Sequence, residues 1–84
     1  MTIYVDDPIW PRHGRRWAHL VSNHSYEELH EFAAALGVPR RGFDRDHYDI
    51  PDDLVPVAIE RGAIKVGAKE LLRQLVDSGL RRRT

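Results

Sequence analysis

The N-terminal quarter of the chain contains two short segments whose residues are typical of β-strands. Ile3 and Val5 alternate with more polar neighbours, so residues 2–6 are predicted to form a strand. Pro8 follows closely and ends the pairing, because proline has no amide hydrogen to donate. Residues 17–21, WAHLV, form a short apolar run that predicts a second strand.

The segment between these strands, residues 8–16, reads PIWPRHGRR and contains two prolines, one glycine and three arginines. Proline and glycine are the residues that most often interrupt helices and strands. We therefore expect an exposed and mobile basic loop here.

The first helix has the clearest signal in the chain. Ser25 and Glu28 have the spacing of a capping box, in which each side chain accepts a hydrogen bond from the backbone amide of the other residue. A helix is therefore predicted to begin at Tyr26, and Gly37 suits the left-handed conformation that often ends a helix. Its apolar residues recur with the period of one helix face: Tyr26, Leu29, Phe32, Ala33 and Leu36.

The middle of the chain predicts an extended segment followed by a second helix. Residues 43–50 are expected to be extended, at least near their end, because a residue that precedes proline is biased away from helix. The second helix is predicted to begin at a cap formed by Asp52 or Asp53 and to run to about Arg61. Pro56 fits only in its first turn, where the amides lack intrahelical acceptors.

The remaining residues predict a short strand, a third helix and a tail. Residues 63–66 are apolar and short, residues 68–78 alternate leucines with charged residues in helical phase, and residues 80–84 form a basic, exposed and frayed tail. The order of elements predicts a single α/β domain over residues 1–84, with three helices and a three- or four-stranded, mostly parallel sheet.

Composition narrows the function classes. The chain has 84 residues, of which 42% are hydrophobic, and its 13 basic residues balance 13 acidic ones. It has no cysteine, so any metal would need histidine and carboxylate ligands. Its first residues lack the pattern of a signal peptide, and no apolar run approaches the roughly 18 residues of a membrane span. We expect a soluble, cytoplasmic protein that does not act at a membrane.

The candidate chemistry begins in the stretch DRDHYDIPDD, residues 44–53, where five aspartates surround one histidine. In an extended segment His47 and Asp49 share one face, and Tyr48 points to the other. His47 and Asp49 form the predicted metal site together with Asp6, which lies at the end of the first strand. The alternative is a half-buried strand histidine whose acidic neighbours keep an edge strand soluble.

Two more histidines lie on apolar segments. His19 stands between Ala18 and Leu20, and His30 shares a helical stripe with Tyr26. They are either core histidines with hydrogen-bond partners or members of one pocket with His47 and Asp6, in which either would act as ligand or general base.

Arginines form the third feature. Arg12, Arg15 and Arg16 alternate with Trp10 and Trp17, which is typical of surfaces that bind phosphate or nucleic acid. The alternative is a solvated arginine surface, since the net charge is zero. The sequence lacks a glycine-rich phosphate loop, an H-E-x-x-H motif and a serine nucleophile elbow.

Several segments together resemble the small bacterial and phage proteins of the domain-of-unknown-function 4031 family. They are YVDD at 4–7, WAHLVS at 17–22, EELHEFAAALG at 27–37, HYDI at 47–50 and AIERGAIKV at 58–66. The family name records no activity. The resemblance implies that these polar residues match the family's motif positions: Asp6, His19, Glu28, His30, His47, Tyr48 and Asp49. Of these, His19, His30 and Tyr48 are the candidate catalytic residues.

Two functions from different classes therefore follow. The first is a small metal-dependent hydrolase of phosphodiesters or nucleotides, with Zn²⁺, Mn²⁺ or Mg²⁺ bound by Asp6, His47 and Asp49. The second is a non-catalytic module that binds nucleic acid or a protein through the arginine and tryptophan loop, with structural histidines. A homodimer is compatible with either function.

Overall fold

The computed structural model describes residues 2–81, which form one mixed sheet and three helices. The strands are β1 (Ile3–Val5), β2 (Trp10–Arg12), β3 (Arg15–Ser22), β4 (Phe43–Asp44), β5 (His47–Pro51) and β6 (Ile64–Lys65). The helices are α1 (Tyr26–Ala35), α2 (Val55–Glu60) and α3 (Ala68–Asp77). The prediction of a small α/β domain with three helices is confirmed.

The predicted mostly parallel sheet of three or four strands is wrong. Five strands of residues 2–81 pair in the order β4-β5-β3-β1-β6, and the sixth, β2, pairs with the first half of β3. Among the strand pairs that the structure describes, the pair of β1 and β6 alone is parallel. The physical reason lies in the connections, because a parallel pair needs a crossover of a dozen or more residues, whereas short turns join β2 to β3 and β4 to β5.

The predicted basic loop over residues 8–16 is largely a β-hairpin. Trp10 pairs with Trp17, and the turn passes through His13 and Gly14, both with positive φ. Pro11 is accommodated because β2 is a short edge strand, where a missing amide donor costs little. The expected exposure of this segment is confirmed for residues 9–16.

Helix α1 begins at Tyr26, as predicted. The Ser25 side chain accepts a hydrogen bond from the Glu28 amide at 3.1 Å, which is the first half of the capping box. The second half is replaced, because the Glu28 carboxylate accepts from the Ser22 hydroxyl, and the Ser25 amide donates to that same hydroxyl oxygen. Gly37 ends the helix with a φ of +82°, as expected.

The predicted extended segment over residues 43–50 is a second hairpin, because a turn with Arg45 at a φ of +62° separates β4 from β5. Asp52 and Asp53 do not cap α2 but lie in a short 3₁₀ turn before it. Pro56 stands in the first turn of α2, and the predicted strand and third helix are confirmed as β6 and α3.

The helices divide between the two faces of the sheet. The larger core packs α1 and α2 against one face, where Leu20, Tyr48 and Ile50 are buried. The smaller core packs α3 against the other face around Val21 and Leu75. Within residues 2–81, no helix is long and apolar enough to cross a bilayer. Because α3 covers only the β1 side of its face, polar residues of β3 and β5 lie beside it.

The structure describes the predicted basic tail, residues 80–84, as far as Arg81. The Tyr26 hydroxyl donates to the Leu80 carbonyl oxygen, and Leu80 packs against the smaller core. Arg81 Nε donates to Asp46 Oδ2 at 3.0 Å. These two residues are therefore held against the domain, and residues 82–84 lie outside the described part of the chain.

Candidate metal centre

Three side chains that can bind a metal meet on the face of the sheet that carries α3. His19 pairs with Asp49 across β3 and β5, so the two side chains point to the same face. His47 lies two residues before Asp49 on β5 and therefore joins them. One ligand atom from each residue lies within 4.8 Å of the other two.

The distances in this cluster are close to those around a bound ion. His47 Nε2 lies 3.3 Å from Asp49 Oδ1, and His19 Nε2 lies 3.9 Å from the same oxygen. Around a tetrahedral ion with bonds of about 2.0–2.1 Å, neighbouring ligand atoms are about 3.4 Å apart. The distance from His47 to Asp49 already matches this value, and the distance from His19 to Asp49 is about 0.5 Å longer.

Each imidazole is backed by a second carboxylate. His19 Nδ1 lies 2.9 Å from Asp6 Oδ2, and His47 Nδ1 lies 2.9 Å from Asp46 Oδ1. Both carboxylates accept, so in the neutral ring the proton is on Nδ1 and the lone pair on Nε2. This carboxylate–histidine arrangement is the one that fixes metal-binding imidazoles in proteins. Both Nε2 lone pairs therefore face the Asp49 carboxylate.

The Asp6 carboxylate holds His19 at two points. It is only 1% exposed, and its Oδ1 accepts from the His19 backbone amide at 2.6 Å while Oδ2 accepts from the ring. The hydrogen bond to Asp6 raises the pKa of His19 above its ordinary value, against the opposing effect of burial. Asp6 therefore fixes both the position and the tautomer of His19.

The Asp46 carboxylate plays the corresponding part for His47. Burial acts to raise the pKa of Asp46, but hydrogen bonds from His47 and Arg81 outweigh it and hold the pKa below its ordinary value. Asp46 is thus an anion that accepts from His47 on one side and from Arg81 on the other. The segment after α3 contributes to the site through this contact.

The charges of the cluster and of the side chains that contact it favour the binding of a cation. Asp6, Asp46 and Asp49 contribute three negative charges, and Arg12 and Arg81 contribute two positive ones, so the formal charge is −1 with neutral histidines. Two imidazole lone pairs and a carboxylate oxygen repel one another unless a proton or a metal ion lies between them. A divalent ion would change the local charge to +1, which attracts anions.

A shallow hollow of about 340 Å³ opens over the cluster. Trp10 and Trp17 line it together with the two histidines and Asp49. Arg12 stacks on the Trp17 ring at 5.5 Å and donates to Asp49 Oδ2 at 2.9 Å. An anion that reached the cluster would therefore meet a guanidinium group.

Two of the predicted catalytic residues lie on the opposite face of the sheet. His30 Nδ1 is 2.7 Å from the Tyr48 hydroxyl, and both rings pack against Phe43. Burial lowers the pKa of His30, with a smaller contribution from Arg40, and burial raises the pKa of Tyr48. The structure does not bring His30 or Tyr48 to the cluster of His19, His47 and Asp49.

The three predicted phosphate-binding arginines line one shallow hollow of about 590 Å³ at the β2–β3 hairpin, but their ion-pair partners differ. Arg12 reaches Asp49, whereas Arg15 lies 2.9 Å from Asp53 and 3.6 Å from Asp52. Arg16 is exposed on β3 opposite Pro11. Arg12 is thus the arginine of this hairpin that touches the cluster.

Two residues of the site were missed by the sequence analysis, Asp46 and Arg81. Strand alternation places Asp46 on the face away from His47, but the turn at Arg45 interrupts the strand and returns its side chain to the ring. Its position directly before His47 was a usable signal. Arg81 lies 35 residues from Asp46, and nothing in the sequence links the two.

The fold and the cluster define a class of protein: a small α/β domain with two carboxylate-backed histidines and an aspartate on one sheet face. The family described as Protein of unknown function (DUF4031) matches residues 3–78, so the chain belongs to this family, as its sequence motifs indicated. Neither a search of curated proteins nor a search of solved structures found a match.

Proposed function

We propose that this protein is a small metal-dependent hydrolase that acts on phosphodiester or nucleotide substrates. His19, His47 and Asp49 are the metal ligands in this proposal. The observation that carries it is the convergence of two Nε2 atoms on Asp49 Oδ1, with each opposite Nδ1 held by a carboxylate. Two imidazole nitrogens and a carboxylate oxygen are ligands that suit Zn²⁺.

The proposal changes the role of one predicted ligand. Asp6 was expected to bind the metal, but it lies on the Nδ1 side of His19, and its two oxygens already accept from that residue. It therefore acts as the partner that orients a ligand. His19 takes its place among the ligands.

Three protein ligands leave a coordination position open, as in catalytic zinc sites. A metal bound there would supply a water of lowered pKa and would polarise a phosphate oxygen. The protein's own groups hold the ligands and the charge: Asp6 and Asp46 orient the imidazoles, and Arg12 lies where it can neutralise a phosphate oxygen beside Asp49.

The non-catalytic binding module remains the second candidate. The observation that favours it is the exposure of Ile9 and Trp10 beside the arginines of the β2–β3 hairpin. A Trp ring that is half exposed can stack on a base or pack against a protein partner. In this alternative the histidine cluster serves only to hold the hairpin and the sheet together.

Metal binding separates the two functions. We expect calorimetry to show one Zn²⁺ per chain in the wild type, with a raised melting temperature, and a loss of binding in His19→Gln and His47→Gln. His24→Gln is the matched control, because His24 is exposed at the start of α1 and outside the cluster. Failure of both Zn²⁺ and Mn²⁺ to bind the wild type would remove the hydrolase proposal.

Two further measurements complete the test. The Zn²⁺-loaded protein is expected to hydrolyse bis(p-nitrophenyl) phosphate, and His47→Gln is expected to abolish that activity. For the alternative, replacement of Arg12, Arg15 and Arg16 by alanine is expected to abolish binding to single-stranded nucleic acid. Equal binding by the wild type and the triple variant would exclude the hairpin as a nucleic-acid site.

A further inference from the structure

A second hollow of about 250 Å³ lies next to the cluster, between the sheet and α3. Trp10, His19 and His47 form one wall, and Leu71, Leu72 and Leu75 of α3 form the other. Arg81 also lines it. The hollow is therefore mostly apolar, with polar groups where it meets the cluster.

Two exposed apolar side chains, Trp10 and Leu72, line this hollow. Leu72 is 43% exposed and Trp10 is 51% exposed, although Leu71 and Leu75, on the same wall, are buried. Leaving a leucine and an indole ring partly in water forgoes the stabilisation that their burial would give. A ligand that covers both would recover it.

The second hollow is continuous with the proposed metal site. Trp10, His19 and His47 line both this hollow and the one over Asp49. The Arg81 side chain is 42% exposed even though it donates to Asp46, so its positive charge is available at the rim. One ligand can therefore place a charged group at the metal and an apolar group against α3.

We infer that the substrate is an anionic ester, a phosphate ester, that carries a flat aromatic group. This inference rests on the proposed function. The phosphate lies at the metal, and the aromatic ring lies between Trp10 and Leu72. The size agrees, because a cavity of about 150 Å³ holds a benzene ring, whereas drug-sized ligands need about 300–1,000 Å³. Trp10 offers a ring face for stacking.

The binding test compares two probes on the Zn²⁺-loaded full chain: phenyl phosphate and inorganic phosphate. We expect phenyl phosphate to bind about tenfold or more tightly, because its ring leaves water against Trp10 and Leu72. Calorimetry gives the affinities, and quenching of tryptophan fluorescence reports the contact with Trp10.

Variants of α3 locate the aromatic group. Leu72→Gln is expected to remove the preference for phenyl phosphate and to leave the affinity for inorganic phosphate unchanged. Val76→Gln is the matched control, because Val76 lies on the same helix, is 37% exposed and does not line the hollow. Leu72→Ala repeats the test with a milder change in case Leu72→Gln folds poorly.

The outcomes distinguish this inference from the proposed function. Zn²⁺ binding without any preference for phenyl phosphate overturns the inference and leaves the metal site intact. Absence of Zn²⁺ binding overturns both. Equal losses of the preference for phenyl phosphate in Leu72→Gln and Val76→Gln also overturn the inference. So does a wild-type dimer that Leu72→Gln dissociates, if the wild type shows no preference for phenyl phosphate.

Discussion

Replacement of Asp6 by asparagine tests whether the outer carboxylate controls the metal-binding tautomer of His19. Asp6 is almost completely buried and accepts two hydrogen bonds from His19, from the backbone amide at 2.6 Å and from Nδ1 at 2.9 Å. Asparagine has the same shape but only one accepting oxygen, and its other group is a donor. If the amide oxygen keeps the backbone bond, the NH₂ group faces Nδ1.

The His19 ring must then accept at Nδ1, which moves its proton to Nε2 and removes the lone pair that faces Asp49. The loss of an outer partner of a ligating histidine typically reduces metal affinity 10–100-fold, or about 1.4–2.7 kcal/mol. The loss of a charge-assisted hydrogen bond also lowers the free energy of unfolding by about 1.5–3 kcal/mol. We therefore expect weaker Zn²⁺ binding and a lower melting temperature.

Calorimetry measures the Zn²⁺ affinity, and ¹⁵N NMR of the metal-free protein reports the His19 tautomer. The pKa of His19 is also expected to fall in the variant, because the bond to Asp6 is the largest cause of its rise. Asp7→Asn is the matched control, since Asp7 is exposed and pairs with Lys65 on the surface. Wild-type affinity in Asp6→Asn, together with a proton on Nδ1, would refute this reasoning.

Three further predictions concern stability. Burial lowers the pKa of His30 below its ordinary value, so the unfolded chain binds a proton more readily than the folded one, and folding stability should fall as the pH drops below about 6.5. Urea unfolding at several pH values should show that the stability of His30→Gln depends less on pH. An unchanged pH dependence would contradict this. Leu20→Ala removes a fully buried side chain and is expected to cost about 2–5 kcal/mol of unfolding free energy, whereas Leu72→Ala, at a partly exposed position, should cost far less; similar costs at the two positions would argue against the described core. Gly37→Ala is expected to cost about 1 kcal/mol, because φ is +82° and a Cβ there meets no neighbouring atom, so backbone strain is the only penalty; a neutral or stabilising effect in thermal unfolding would show that the residue does not adopt this conformation.

Local patterns explain which parts of the fold could be predicted. The capping residue Ser25 and the stop at Gly37 define α1 through contacts between residues a few positions apart. Strand alternation correctly separates Tyr48 from His47 and Asp49, because side chains of an extended strand point to opposite faces in turn. These features depend on neighbouring residues alone, and the sequence specifies them without the rest of the chain.

Only the tertiary structure shows how strands that are distant in the sequence pair with one another. The antiparallel register of β3 and β5 places His19 opposite Asp49, and the hairpins explain why the sheet is not parallel. His30 has the same residue type as His19, yet its helix packs on the other face, beside Tyr48. Sequence spacing carries no information about which face of the sheet a helix covers, so the sequence could not show whether the three histidines meet.

The sequence by itself determined the three helices and the face shared by His47 and Asp49, because helix and strand periodicity are properties of short segments. The tertiary structure decided which residues complete the cluster. Asp46 returns to His47 through a turn that breaks the strand, and Arg81 reaches Asp46 from beyond α3. Such contacts depend on how distant segments pack, and packing is a property of the whole folded chain.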